Sequence, residues 1–251
     1  MANLYLTLQG KGGVGKSYVT AAFAQWAMDR GQAVACIDTD TLNPTLAQYR
    51  GLNALHVKLS HEHVLDPRAL DALMDAITNA PDDGWVIVDV GSNGYETLLA
   101  YALDNDWFAI LADLGHRVTI NTVIAGGADA EETLAGVARL IGVTAASGAP
   151  VLVWLNEHLG PLTVGDRPVL ESAVLVDAGA RILGTVVLPA RTPATFGRDV
   201  EAMLRARQTF DEAIAAAQLM PRHRLARVRD DIYRQLDAIG LLDRAETAAA
   251  G

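Results

Sequence analysis

Apolar and polar positions fall along this chain in blocks whose period switches back and forth between strand and helix. Leu4-Tyr5-Leu6-Thr7-Leu8 is a short apolar run stopped by Gly10, and it predicts a first strand. From Ser17 the period changes. Val19, Phe23, Trp26 and Ala27 recur at spacings of three and four, giving a helix with one apolar face, and Gly31 is placed to end it in a left-handed conformation. Residues 33–37 and 85–88 are unbroken apolar runs, the pattern of strands buried on both faces of a parallel sheet. The first delivers Asp38-Thr39-Asp40 to its C-terminal end and the second delivers Asp89. The same reading predicts a helix from Asp66-Pro67 to about 79, a strand over 107–111 and a helix over about 130–140. It continues with a strand over 151–155 ending at Asn156, a helix over about 169–176 and a strand over 182–188 ending at Pro189. After Thr195 the pattern is helical to about 218, breaks at Pro221 and resumes to about 239.

Strands that alternate with helices predict an α/β fold: a mainly parallel, twisted sheet with helices on both faces, since right-handed crossovers pack the helices there. With 251 residues and 51% hydrophobic content, a single domain is expected over 1–251, with 222–251 as a C-terminal helix and tail. In such a sheet ligands gather at the C-terminal ends of the strands, where Asp38, Asp40, Asp89, Asn156 and Pro189 all fall.

The chemistry is concentrated between the first strand and first helix, in Gly10-Lys11-Gly12-Gly13-Val14-Gly15-Lys16-Ser17, a full match to the phosphate-cradling pattern G-x-x-x-x-G-K-[ST]. Its glycines let successive backbone N–H groups turn inward on one phosphate chain. Lys16 supplies a compact positive charge for the β- and γ-phosphates, and the Ser17 hydroxyl is a Mg²⁺ ligand at the mouth of the helix. The chain has only three lysines, at 11, 16 and 58, against seventeen arginines, and two of the three sit in this loop. An ammonium fits a backbone nest where a planar guanidinium does not.

Net charge −10 argues against a broad nucleic-acid-binding face, although local basic patches remain open. One cysteine, Cys36, rules out a disulfide framework or a Cys-x-x-Cys site within one chain, and fits a reducing, cytoplasmic setting. The N-terminus reads as lacking a cleavable apolar segment, and no apolar run reaches the ~18 residues of a membrane span. His61-Glu62-His63 reads as a solvated turn more readily than a metal site. Leu225, Val228, Ile232, Leu236 and Ile239 form a helical stripe. Its plainest reading is packing on the domain. Docking of a protein partner, or a membrane or nucleic-acid contact through Arg222, Arg224, Arg227 and Arg229, stays open beside it. The last residues, 246–251, read as a frayed tail.

Lys11 is not required by a plain phosphate loop. Lys11-Gly12-Gly13-Val14-Gly15-Lys16-Ser17 resembles the deviant Walker A loop of the ParA/MinD ATPase family, and the resemblance extends through ordered motifs over most of 1–220. It implies a P-loop NTPase fold binding ATP and Mg²⁺ through residues 10–18, Tyr18 included. It also implies a nucleotide-sandwich homodimer in which Lys11 reaches the partner's phosphates. By the same resemblance Asp40 orients the attacking water, Asp38 lies near the Mg²⁺ shell, Asp89 holds Mg²⁺ through water, and Asn156 and Pro189 contact adenine. Lys11, Lys16 and Asp40 are then the catalytic set, and Ser17, Asp38 and Asp89 the metal set. Leu8-Gln9-Gly10 and Asp38-Thr39-Asp40 with Asn43 further resemble the plasmid conjugal-transfer TraL-type members. Family members commonly carry proline soon after the two aspartates, where this chain has Thr41 and Val90-Gly91.

The leading expectation is a slowly hydrolysing, dimerising ATPase switch in plasmid conjugation, partition or protein positioning, with an unidentified protein partner or cargo. The alternative is an ATP-dependent small-molecule ligase of the dethiobiotin synthetase type, which Lys11 disfavours. A regulatory GTPase is opposed by Asn156-Glu157-His158, which is not the guanine-pairing Asn-Lys-x-Asp, and an iron–sulfur carrier by the lone Cys36.

Overall fold

Seven strands form one sheet in which every neighbouring pair is parallel. In the computed structural model, which describes residues 2–61, 64–66, 68–80 and 83–243, they are β1 (Asn3–Thr7), β2 (Val34–Asp38), β3 (Leu55–His56), β4 (Trp85–Asp89), β5 (Arg117–Ala125), β6 (Val151–Asn156) and β7 (Ile182–Leu188). Their spatial order is β7-β6-β5-β1-β4-β2-β3. Strands β1, β4 and β6 are buried along their whole length, as their unbroken apolar runs require.

Alternate residues of every strand but the short edge strand β3 feed two separate cores. Leu4, Leu6, Val86, Val88, Ile120, Ile124, Val151 and Val153 face one side. That side is covered by α2 (Ala69–Thr78), α3 (Ser92–Asp104), α4 (Trp107–Asp113) and α5 (Ala130–Val143). Tyr5, Ile87, Val123, Leu152, Trp154 and Val186 face the other. There α1 (Lys16–Asp29), α7 (Arg198–Arg205), α8 (Phe210–Ala216) and α9 (Leu219–Ile239) pack. Beneath α1 the rings of Tyr5, Phe23, Trp26 and Trp85 form one cluster, with Tyr5 and Trp85 stacked at 4.6 Å and Tyr5 and Phe23 edge-on at 4.8 Å.

Three expectations are corrected. Residues 107–111 are not a strand but the start of α4, and the strand is β5, immediately downstream. An apolar run of five fits either state, and topology decides: β4 and β5 are parallel and on the same sheet, so helical crossover must lie between them. Residues 117–125 carry six β-branched residues, but Thr119, Asn121 and Thr122 interrupt the apolar signal although all three are buried. The helix expected over 169–176 starts later, as α6 (Ala173–Ala178), after a 3₁₀ turn at Val169–Glu171.

Pro221 does not break a helix, because it lies in the first turn of α9, where backbone N–H groups have no partner inside the helix anyway. The breaks fall instead at residues 206–209, where Arg207 has a φ of 52° and Thr209 with Glu212 forms a capping box for α8, and at the extended Ala217. The stripe on α9 packs as core: Leu225, Val228, Ile232 and Leu236 are buried and Ile239 lies against them. Three of the four arginines noted there are engaged within the chain, Arg224 with Asp199, Arg229 with Asp211, and Arg222 with the carbonyls of Ile214 and Ala217. Helix α2 begins at Ala69. Pro67, Glu62, His63 and the 246–251 tail, all read from sequence above, lie outside the described residues. Among the described residues no helix is long and apolar enough to cross a membrane, and no cluster of three metal-ligating side chains occurs.

Candidate nucleotide site

Residues 8–15 leave β1 at the centre of the sheet and return as α1. Gly13 and Gly15 take φ values of 76° and 102°, a left-handed backbone that side-chain-bearing residues rarely adopt, so the loop can curl without strain only with glycine there. Lys16 arches back over the loop, and its Nζ donates to the Lys11 carbonyl oxygen at 2.9 Å. Only 7% exposed, its ammonium is held below the ordinary lysine range by burial, an effect partly offset by the charges of Asp89 and Asp40.

The sheet register brings the carboxylates to this loop. Asp89 lies opposite Thr7 on one side and Asp38 on the other. Burial pushes the Asp89 carboxyl up to about 7, with the charge of Asp38 adding to the rise and hydrogen bonds from Ser17 and Thr20 opposing it. Thr20 Oγ1 stands 3.3 Å from Asp89 Oδ1, whereas Oδ2 is buried with no hydrogen-bond partner. An orphaned carboxylate oxygen beside a serine hydroxyl is an incomplete polar site, and it suits a hydrated divalent cation held through Ser17 and Asp89.

Asp38 and Asp40 are organised differently. Both oxygens of Asp38 accept main-chain N–H groups, from Asp40 and Ala47, each at 2.9 Å. Asp40 Oδ1 accepts from the amides of Leu42 at 3.0 Å and Asn43 at 2.9 Å, an Asx-type turn. Its backbone oxygen lies 3.2 Å from His56 Nε2. A Cβ on Gly91 would fall 2.7 Å from Asp40 Cγ and 2.9 Å from Asp40 Cα. That close approach leaves no room for a side chain at 91 while Asp40 stays in place.

Asn156 reaches the loop from the end of β6, two strands from β1. Its Nδ2 donates to Val14 O at 3.0 Å and its Oδ1 accepts from His158 N at 3.1 Å, so its carboxamide braces the phosphate loop. Pro189 lines a cavity of about 530 Å³ together with Gly13, Gly15, Tyr18, Arg191 and Phe196. Arg191 lies over the Phe196 ring at 5.1 Å and pairs with Asp231 on α9 at 2.5 Å. The cavity opens beside the loop, has apolar walls, and suits a base with its sugar.

Lys11 stands at the rim, a third exposed, and its Nζ meets Glu132 at 2.7 Å and Asp129 at 3.2 Å. These hydrogen bonds raise its pKa, that to Glu132 most. Sequence reasoning missed this acidic pair, along with Tyr95, whose ring abuts Gly10, and the Arg191–Phe196 stack. The acidic first turn of α5 was legible as a helix start. Nothing local ties it to Lys11, more than a hundred residues away.

A family model named ParA, described as an NUBPL iron-transfer P-loop NTPase, matches residues 1–79. Protein TraL of Escherichia coli is 37% identical over 244 residues, which is 96% of this chain and all of that protein. The chain belongs to the TraL family, within the ParA/MinD-type P-loop proteins. Among solved structures, the MinD cell division protein of Aquifex aeolicus superposes with a TM-score of 0.53 at 15% identity, covering 94% of this chain and 97% of MinD. The septum site-determining protein MinD of Pyrococcus horikoshii, solved with Mg-ADP, gives 0.52 at 14% identity, covering 96% and 98%. These two likenesses establish a MinD-like single-domain P-loop NTPase fold. The structure places residues 10–18, Asp38, Asp40 and Asp89 together along one edge of the sheet.

Proposed function

We propose that this TraL-family protein is a Mg²⁺-dependent ATP-binding switch that hydrolyses ATP slowly and dimerises in its ATP form, acting in plasmid conjugation. The observation that carries the reading is the division of labour between two lysines in one loop. Lys16 is buried beside Asp89, while Lys11 stands at the rim with its ammonium turned away from the cradle onto Asp129 and Glu132.

Water attacks the γ-phosphorus, the bond to the β-phosphate oxygen breaks, and ADP leaves with that electron pair. The chain's work in this reaction is positioning and charge neutralisation. Asp40 holds the water in line, the loop amides and Lys16 take the phosphate charge, and the cavity beside Pro189 takes the base. Ser17 and Asp89 would hold Mg²⁺, with Asp38 shaping the loop next to it; the ion supplies further neutralisation of the phosphates. The P. horikoshii MinD solved with Mg-ADP supports this assignment by analogy of fold.

An exposed ion pair such as Lys11 with Glu132 is screened by water and contributes little. Exchanging it for the phosphates of a facing subunit therefore costs little, and two like-charged nucleotides become bridged from both sides. ATP is preferred over GTP, since Glu157 and Leu159 stand where a guanine-reading Asn-Lys-x-Asp beginning at Asn156 would carry Lys and Asp. A protein partner would read the dimeric form.

Light scattering tests the reading. Wild type with Mg·ATP or a non-hydrolysable analogue should shift to dimer, whereas Lys11→Ala should bind nucleotide and stay monomeric. A Lys11→Ala protein that dimerises as well as wild type overturns it. Steady-state phosphate release without any added metabolite separates the switch from a ligase.

A further inference from the structure

Gln9 directly precedes the phosphate loop, carries no role in the site described so far, and is 2% exposed. A polar side chain so deeply buried needs partners, and Gln9 finds them on two other elements. Its Nε2 donates to Val123 O of β5 at 2.9 Å and to Thr133 O of α5 at 3.1 Å, so both amide hydrogens are used. The remaining oxygen, Oε1, faces the Lys11 amide nitrogen at 3.5 Å. The carboxamide thus joins the loop's first arm, the centre of the sheet and the first turns of α5.

Gly136 makes the placement specific. Glycine in the middle of a helix is unfavourable relative to alanine, and α5 carries one at a position where a Cβ would fall 2.5 Å from Gln9 Oε1. Its missing side chain is the space the carboxamide occupies. Thr133 is locked in turn, its Oγ1 donating to Asp129 O at 2.7 Å and accepting from Ala125 N at 3.1 Å. Asp129 and Glu132, the carboxylates that meet Lys11, lie on this same turn.

We infer that Gln9 is a positioning residue for the nucleotide site: its carboxamide, seated against Gly136, fixes the main chain at Gly10-Lys11 and so presets both the phosphate cradle and the direction in which Lys11 leaves it. The inference rests on the nucleotide reading above. Gln9→Glu keeps the size but replaces the two donated hydrogen bonds by a carboxylate facing two carbonyl oxygens. Gly136→Ala leaves every loop residue intact and pushes the carboxamide out of its seat from the α5 side.

The experiment measures the affinity of full-length wild type and both variants for a fluorescent ATP analogue with Mg²⁺, at a temperature well below the melting point of each. Leu140→Ala, a core change one turn further along the same helix that touches none of the hydrogen bonds of Gln9, serves as the stability control. The expected result is a five- to twentyfold loss of affinity in both variants, with Leu140→Ala binding as wild type despite a lower melting temperature. Should Gln9→Glu fail to fold, Gly136→Ala alone decides. Variants that bind as tightly as wild type overturn the inference, and so does an equal loss in Leu140→Ala, which would make the effect one of general stability. A wild type that binds no nucleotide would instead remove the nucleotide reading and this inference with it.

Discussion

The phosphate loop and the loop after β2, residues 39–45, lie at the same edge of the sheet but differ in how far their braces reach along the chain. The phosphate loop is braced from far away in sequence. Gln9 bonds to Val123 and Thr133, Asn156 to Val14, and the Tyr95 ring closes on Gly10. The loop carrying Asp40 is tied to other elements at its start, by Thr39 to Asp89 O and by His56 at the Asp40 carbonyl, but beyond that its carboxylates bond its own neighbours: Asp38 to the amides of Asp40 and Ala47, Asp40 to those of Leu42 and Asn43. Long-range braces form only when the whole sheet is assembled, so they make a loop whose shape is set before ligand arrives. Short-range bonds can be exchanged one at a time without disturbing the core, which suits the nucleotide-responsive role proposed for this loop.

The strongest test of the preset loop is Lys16→Ala. No other lysine is placed to reach the β-phosphate, so nucleotide affinity should fall roughly 100-fold or more, close to 3 kcal/mol, by calorimetry. Retained affinity would mean that the backbone nest alone binds phosphate. Next in size is Gly91→Ala, which leaves the phosphate loop untouched and pushes Asp40 through the methyl group. Single-turnover hydrolysis should drop at least ~10-fold with ATP affinity changed less than about threefold. Hydrolysis at the wild-type rate would show Asp40 to be only a turn cap. Asn156→Ala removes one distant brace, two hydrogen bonds in all, and should weaken ATP binding about five- to tenfold. If affinity is unchanged, the glycines preset the loop without help and the contrast between the two loops collapses. Smallest is Leu42→Ala. The residue is 63% exposed two positions from Asp40, and chemical denaturation should find stability within about 0.5 kcal/mol of wild type.

Most of the site was legible because each of its parts sits at a boundary the sequence marks. Asp38, Asp89, Asn156 and Pro189 end apolar runs, and parallel strands place all such ends along one edge. Strand β5 escaped because its buried Thr119, Asn121 and Thr122 look like surface residues, and α4 was mistaken for it because five apolar residues have no period to read. The α9 stripe was read correctly as apolar. Its plainest reading, packing on the domain, holds, and the structure adds where: beside α1, with Trp26 and Arg30 bonding Asp237.

The sequence by itself determined the chemistry of the site: a glycine-rich loop with two lysines and a serine, and carboxylates at the ends of buried strands. Each is fixed by residue type and by spacing within a few positions. Tertiary structure alone decided which distant groups hold those parts in place. Gln9 against Gly136, Asn156 against Val14, Lys11 against Asp129 and Glu132, and Asp40 against Gly91 are all pairs whose partners lie on separate elements. Local propensity carries no record of such partners, because they meet only when the sheet register and the packing of α3 and α5 bring them within hydrogen-bonding or van der Waals reach.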